Sequence, residues 1–273
     1  MIKISCKEYA ANLKEELKEL CEKLPRQRCL TVIQIGNDAA SNSYVNGKRK
    51  DCEYVGIKFN HVHITDYENL DESDLCKIIK ELDNSKEVDG IIIQLPIPDK
   101  YNVKTLQQFI SPEKDVDGFR KDSLYNPCTP QGIIDWLEAN DVDLRGKLVT
   151  VLGRSEIVGK PLVNMLIDKG ATVINCNSKT PEHKIKYCTR MSDIVVSAIG
   201  KPLKLDWIYF DDYTIIVDVG INRDKDGKLC GDVNTNDFDK SFSSNYVTPV
   251  PGGVGLLTRV TLLKNVMKWV NEI

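Results

Sequence analysis

Tyr44 and Lys48 stand four apart in SNSYVNGKRKDCEYVG, residues 41–56. The stretch reads as a helix, and positions four apart share a helical face. A phenol and an ammonium group therefore point the same way. Gly47, beside Lys48, costs a helix about 1 kcal/mol relative to alanine, and nothing in the sequence explains it. Gln94 lies in the apolar run GIIIQLPIP (90–98). Such a run reads as a parallel strand buried on both faces, and open α/β sheets bind ligands at the carboxyl ends of their strands. The plainer readings are a satisfied amide at a strand end for Gln94 and a solvated cation for Lys48.

A second chemistry is written in VTVLGRSEIVGKP (149–161), which runs strand, turn, helix with Gly153 ending the strand and Gly159 opening the helix. Backbone N–H groups and a helix N-terminus in that position face a pyrophosphate. The spacing is not G-x-G-x-x-G, so a tight turn that binds nothing fits the local pattern equally well. An NAD enzyme carries an acid about 20 residues on, against the ribose 2′-hydroxyl. Here the next strand ends CNSKT (176–180), with Ser178 and Lys179 and no acid, and Arg154 sits in the glycine turn. A hydroxyl and two cations suit a 2′-phosphate, so the sequence favours NADP over NAD. The plainer reading leaves Arg154 and Lys179 as solvated charges.

The elements that must hold these residues alternate. Ser5 and Glu8 form a capping box before a helix to about residue 23. Strand 29–36, the Tyr44/Lys48 helix, strand 57–64, helix 71–84 and strand 90–98 follow, the rhythm of a parallel sheet wrapped by helices. A second series has a helix 130–139 opened by Thr129 and Pro130, then strand 147–152, helix 157–168, strand 171–176, helix 181–190 and strands 193–200 and 214–220. RDKDGKL turns like a hairpin at Asp226-Gly227, and a last helix covers 256–271. The fold class is α/β, with two α/β units and a boundary near residue 120.

Composition narrows the partners. The 273 residues carry a net charge of −3, 41% hydrophobic and 28% charged residues, which fits a soluble globular chain with no global attraction for nucleic acid or anionic membranes. No run approaches the ~18 apolar residues of a membrane span, and the first residues lack a signal-peptide core. Nine dispersed cysteines without a C-x-x-C pair point to reduced thiols in the cytoplasm. His61 and His63 alternate along a strand, and no metal site is expected.

Taken together, the motifs resemble the FolD family, bifunctional methylenetetrahydrofolate dehydrogenase/cyclohydrolase. The resemblance covers nearly the whole chain. It rests on IGNDAASNSYVNGKRK (35–50), GIIIQLPIP, PEKDVDGF (112–119), PCTPQG (127–132), GRSEIVGKP (153–161), SDIVVSAIGKP (192–202), VDVGIN (217–222) and TPVPGGVG (248–255), in that order. It implies a folate-binding catalytic domain of residues 1–119 plus 256–273 and a Rossmann-like NADP-binding domain of residues 120–255, flanking a cleft, in a homodimer.

The resemblance also implies roles. Lys48 activates water and shuttles a proton in opening the methenyl ring, which needs its pKa brought down from about 10.4 by desolvation or a nearby cation. Gln94 orients Lys48 and polarises the reacting carbon's oxygen. Tyr44 lies flat against the folate rings, and Asp117, rather than Asp115, grips the pterin N–H groups. Leu95, Pro251, Gly252, Gly253 and Gly255 approach the folate. Gly153, Arg154, Ser155, Ile157, Val158, Gly159, Ser178 and Lys179 hold the nucleotide, and Gly200 and Ile221 flank the nicotinamide. No acid or base is assigned to hydride transfer, which asks mainly for two rings in register.

The chain departs from the family pattern in three places. Arg120 opens a shortened RKDSLYN loop (120–126) where a histidine is usual, Asn177 replaces another frequent histidine, and Leu256-Leu257 follow the last glycine loop. A monofunctional member, or an NADP-binding sensor without turnover, are the alternatives.

Overall fold

The computed structural model describes residues 2–238 and 245–268. The chain divides into two compact units, residues 11–128 with 259–273 and residues 1–10 with 129–258. Along the first part run α1 (Cys6–Glu22), β1 (Cys29–Ile35), α2 (Ala39–Val55), β2 (Lys58–Ile64), α3 (Glu72–Asn84), β3 (Gly90–Gln94) and α4 (Val103–Gln107). Local chemistry sets the ends of α2. The Asp38 carboxylate accepts from Ser41 N at 2.7 Å at its start, and Gly56, at φ 93°, closes it in the left-handed region.

The three strands form a parallel sheet in the order β2-β1-β3. β1 is buried along its whole length, as a central strand must be. Ile33, Ile35, Ile91 and Ile93 pack with Leu75 and Ile79 of α3 and with Leu106 of α4. The register pairs Gln34 with Gln94, so the carboxyl ends of β1 and β3 meet where the sheet order turns back on itself. β3 ends at Gln94, four residues short of the span expected from the apolar run, because the peptides around Pro96 and Pro98 cannot continue a ladder. The Leu95–Pro96 peptide is cis.

The second unit holds α5 (Cys128–Ala139), β4 (Leu148–Leu152), α6 (Gly159–Asp168), β5 (Thr172–Cys176), α7 (Glu182–Met191), β6 (Ile194–Ser197) and β7 (Ile215–Asp218). It continues with the hairpin β8 (Asn222–Arg223) and β9 (Leu229–Cys230), then β10 (Tyr246–Val247) and α8 (Val254–Met267), which runs on into the other unit's residues. α5 starts at Cys128, so Thr129 is inside the helix rather than its cap, and its Oγ1 lies 2.9 Å from Thr258 Oγ1. Residues 269–271 of the expected last helix lie outside the described residues.

The five-stranded sheet is parallel, in the order β10-β7-β6-β4-β5. Both faces are covered. Val149, Val151, Ile194 and Val196 meet Ile133, Trp136 and Leu162 on one side. Leu152, Val195 and Ile216 meet Tyr209 and Phe210 on the other. β4 leads the series, β5 lies on one side of it and β6 on the other. That is a topological switch point at the carboxyl end of β4, and the glycine turn 153–159 leaves from there.

Candidate active site

Lys48 and Gln94 meet at the carboxyl end of the three-stranded sheet. Lys48 Nζ donates to Gln94 Oε1 at 3.0 Å, and each residue is 8% exposed. The Gln94 Nε2 group donates to Leu95 O at 2.7 Å. One of its two N–H bonds is thus spent on backbone, and the amide reaches Lys48 through its oxygen, as an acceptor. The contact with Lys48 is the geometry an orienting partner needs, and a second N–H of the same amide is left over from the bond to Leu95.

Burial lowers the Lys48 pKa from its usual value, Asp117 opposes this as the largest counter-charge, and Arg259 adds to the lowering. Burial pushes the Asp117 carboxyl up, and Lys48 and a hydrogen bond with Cys128 hold it down. Both groups are thus biased toward their neutral forms. Around them, Cys128 Sγ donates to Val116 O at 3.2 Å, and Asn265 Nδ2 donates to the same oxygen at 2.9 Å.

Tyr44 is half-buried on the Lys48 face of α2, its phenol pKa raised by burial and drawn down by Arg259. Arg259 also accounts for Gly47. A Cβ on Gly47 would stand 2.1 Å from Arg259 Nη1, so only a residue without a side chain lets the guanidinium lie against the helix there. One turn on, Asp51 forms an ion pair with Arg259 Nε at 3.0 Å and accepts from Lys14 Nζ at 2.5 Å. Sequence inspection missed Arg259. The signals available were Gly47 with Asp51 at helical spacing and a lone cation in the apolar run LLTRVTLL.

In the other unit, a cavity of about 350 Å³ opens at the carboxyl ends of β4, β5 and β6, and Gly153, Arg154 and Ser178 are among its walls. Lys201 and Lys204 line it too, though the sequence singled out neither, whereas Lys179 is exposed and outside the lining. The turn is folded too tightly for a side chain at either of its glycines. A Cβ at Gly153 would meet Ala198 O at 2.5 Å, and one at Gly159 would meet Gly153 O at 2.5 Å. Ser155 Oγ accepts from Val158 N and Gly159 N at 3.2 and 3.3 Å, and Ile157 is exposed beside them. The one carboxylate in the lining, Glu182, is engaged by Lys186 at 2.8 Å and Tyr209 at 3.1 Å. A cavity with three cations and a glycine cradle fits an anionic nucleotide.

Gly200 and Ile221 are exposed in the loops after the neighbouring strands β6 and β7. Pro251, Gly252 and Gly253 form the turn into α8, and Gly255 lies in its first turn. These four belong to the nucleotide-side unit, whereas Tyr44, Lys48, Gln94, Leu95 and Asp117 belong to the other.

Comparison with known proteins matches residues 4–117 to the tetrahydrofolate dehydrogenase/cyclohydrolase catalytic domain and residues 127–273 to the NAD(P)-binding domain of the same family. The chain belongs to the tetrahydrofolate dehydrogenase/cyclohydrolase family. The bifunctional protein FolD of Agathobacter rectalis is 41% identical over 96% of each chain. The crystal structure of the bifunctional FolD enzyme from Campylobacter jejuni aligns with a TM-score of 0.91 at 38% identity, covering 97% of this chain and 96% of that one. The Trypanosoma brucei FolD, solved with NADP cofactor and an inhibitor, aligns at 0.88 with 30% identity, covering 97% and 95%.

Against the family pattern, Arg120 has a local task. Its guanidinium donates to the carbonyls of Gln107 and Gln108 at the end of α4, at 3.3 and 2.8 Å, and pairs with Asp122 at 2.7 Å. Its backbone N–H donates to Asp115 Oδ2 at 2.8 Å. The shortened loop is thereby stitched to α4, with its arginine turned to backbone carbonyls.

Proposed function

We propose that the chain oxidises 5,10-methylenetetrahydrofolate to the 5,10-methenyl form with NADP+ and hydrolyses that form to 10-formyltetrahydrofolate, with Lys48 carrying the hydrolysis. The observation behind this assignment is the buried Lys48 Nζ–Gln94 Oε1 hydrogen bond of 3.0 Å. A neutral amine that gives one N–H to an acceptor keeps its lone pair for a proton. Lys48 accepts a proton as water adds to the methenyl carbon and returns one to the ring nitrogen as the C–N bond opens. Asp117 takes the pterin N–H groups, Tyr44 stacks on the folate rings, and Leu95 offers backbone to them.

Bound NADP+ supplies the hydride acceptor of the oxidative half. Arg154, Ser178 and the cavity lysines Lys201 and Lys204 favour its 2′-phosphate, and the turn through Gly153, Ser155, Ile157, Val158 and Gly159 receives the pyrophosphate. Gly200 and Ile221 hold the nicotinamide. The NADP complex of the Trypanosoma brucei relative supports this choice. All nine cysteines are free, which supports a reducing compartment such as the cytoplasm. The homodimer expected of the family is testable by light scattering.

Methenyltetrahydrofolate hydrolysis, followed without nicotinamide, tests the assignment. Lys48→Met is expected to lower it by ~100-fold or more, the range of a lost general base, with NADP+ affinity unchanged. Retained hydrolysis would remove Lys48 from its role. No reduced nicotinamide with NADP+ or NAD+ would refute the oxidative half.

A further inference from the structure

Two buried aspartates lie under the loops of the nucleotide-side unit, and no role assigned so far uses them. Asp232 is 0% exposed and Asp218 is 3% exposed. Asp232 Oδ2 accepts from Ser197 Oγ at 2.8 Å and from Ile199 N at 2.9 Å. Its Oδ1 accepts from Lys201 N and from Asn222 Nδ2, each at 2.9 Å. One carboxylate thus holds the loop after β6 by both its ends and the loop after β7 by its far side. Asp218 supports it from behind. Its Oδ1 accepts from Gly220 N at 2.9 Å and Asp232 N at 3.0 Å, and its Oδ2 from Val233 N at 2.9 Å.

The backbone is shaped around these carboxylates. A Cβ on Gly220 would meet the Asp232 carboxylate at 2.5 Å, and one on Gly231 would meet Asp218 Oδ2 at 1.9 Å. The cluster also reaches the third loop of interest. Asp218 N donates to Thr248 Oγ1 at 2.8 Å, and Thr248 is the first residue of TPVPGGVG. Buried carboxylates are a costly way to fill a core, which apolar residues fill at no such cost. What four donors on one planar group provide is a fixed mutual geometry.

We propose that Asp232, backed by Asp218, is the positioning residue for the nicotinamide. It locks Ala198–Lys201 against Val219–Asn222, so that Gly200 and Ile221 hold the ring at the distance and tilt that hydride transfer needs. This rests on the assignment of those two loops to the nicotinamide. Hydride transfer depends steeply on register: a misplacement near 1 Å can cost about 100-fold. Methenyl hydrolysis needs no nicotinamide, and Lys48 and Gln94 lie outside the cluster, so it serves as an internal control.

Asp232→Asn keeps the shape but turns one acceptor oxygen into an NH₂ group. Whichever way the amide faces, that group meets donors: Ser197 and Ile199 on one side, Lys201 and Asn222 on the other. The variant is expected to lose dehydrogenase kcat by ~10-fold to ~100-fold. Its NADP+ dissociation constant, set chiefly by the adenosine and phosphate half, and its hydrolysis rate are expected to stay within about 3-fold. Ser197→Ala and Asn222→Ala, which each remove a single bond, are expected to show the same split at a few-fold in kcat.

An Asp232→Asn enzyme with wild-type dehydrogenase kcat would overturn the proposal. Should Asp232→Asn fail to fold, the single-bond variants decide: a parallel fall in both activities, or no change in either, overturns it as well. A wild-type protein that makes no reduced nicotinamide at all fails the functional assignment instead, so the two failures are separable.

Discussion

At the scale of single residues, burial and two charged neighbours, Asp117 and Arg259, bear on the proton affinity of Lys48. In the proposed hydrolysis its neutral form is the working one, so kcat is expected to rise with pH through the Lys48 pKa. Burial lowers that pKa, Asp117 raises it, and Arg259 lowers it further. Removing the cation in Arg259→Leu should therefore move the rising limb of kcat to higher pH, and removing the anion in Asp117→Asn should move it to lower pH. Shifts in the same direction, or none, would show that neither charge faces Lys48. Gly47→Ala tests the same contact from the other side. Alanine gains up to about 1 kcal/mol in helix propensity but displaces the Arg259 guanidinium from its seat. Stability should hold or rise while the pH limb moves as in Arg259→Leu; an unmoved limb would separate Gly47 from the proton chemistry. Lys48 and Gln94 were legible as residue types at a helix face and a strand end. Arg259 was not, because a glycine in a helix acquires meaning only when the side chain that crosses it is known.

Elements were legible where their periodicity was long and their ends were chemically marked. β1, α2 and α3 fall within about two residues of expectation, each with a cap or glycine to stop it. β3 shows the opposite case. The apolar run continues past Gln94, but prolines end the ladder earlier than hydrophobicity does. The five-residue α4 escaped notice because it is too short to show a period. Yet α4 explains the altered loop. The Arg120 guanidinium, 10% exposed, holds residues 120–126 to the α4 carbonyls. Charged hydrogen bonds of this kind are worth about 1.5–3 kcal/mol before exposure discounts them. Arg120→Ala should then cost about 1–2 kcal/mol in urea unfolding and leave hydrolysis within about 2-fold. A loss of hydrolysis comparable to that of Lys48→Met would show instead that this loop shapes the catalytic site.

At the scale of the whole molecule, two compact α/β units were legible from the repeated strand–helix rhythm, and the parallel sheets follow from it. Composition said less about partners. A net charge of −3 offers no long-range pull on an anionic cofactor, so the proposed NADP+ preference must come from local groups, and Arg154, Ser178, Lys201 and Lys204 line one cavity. Ligand binding stabilises the folded chain by mass action, about 2.7 kcal/mol at 100 times Kd. For a chain of this size that corresponds to a Tm rise of several degrees, at roughly 2–4 °C per kcal/mol. NADP+ should raise Tm more than NAD+ at equal concentration. Arg154→Ala and Ser178→Ala should each bring the NADP+ response down toward that of NAD+ while leaving the NAD+ response in place. The advantage should also shrink between about 0.1 M and 1 M salt, as the Debye length falls from about 10 Å to about 3 Å. Equal responses to the two nucleotides in the unmodified chain would assign these cations to general phosphate attraction and leave the 2′-phosphate without a dedicated site.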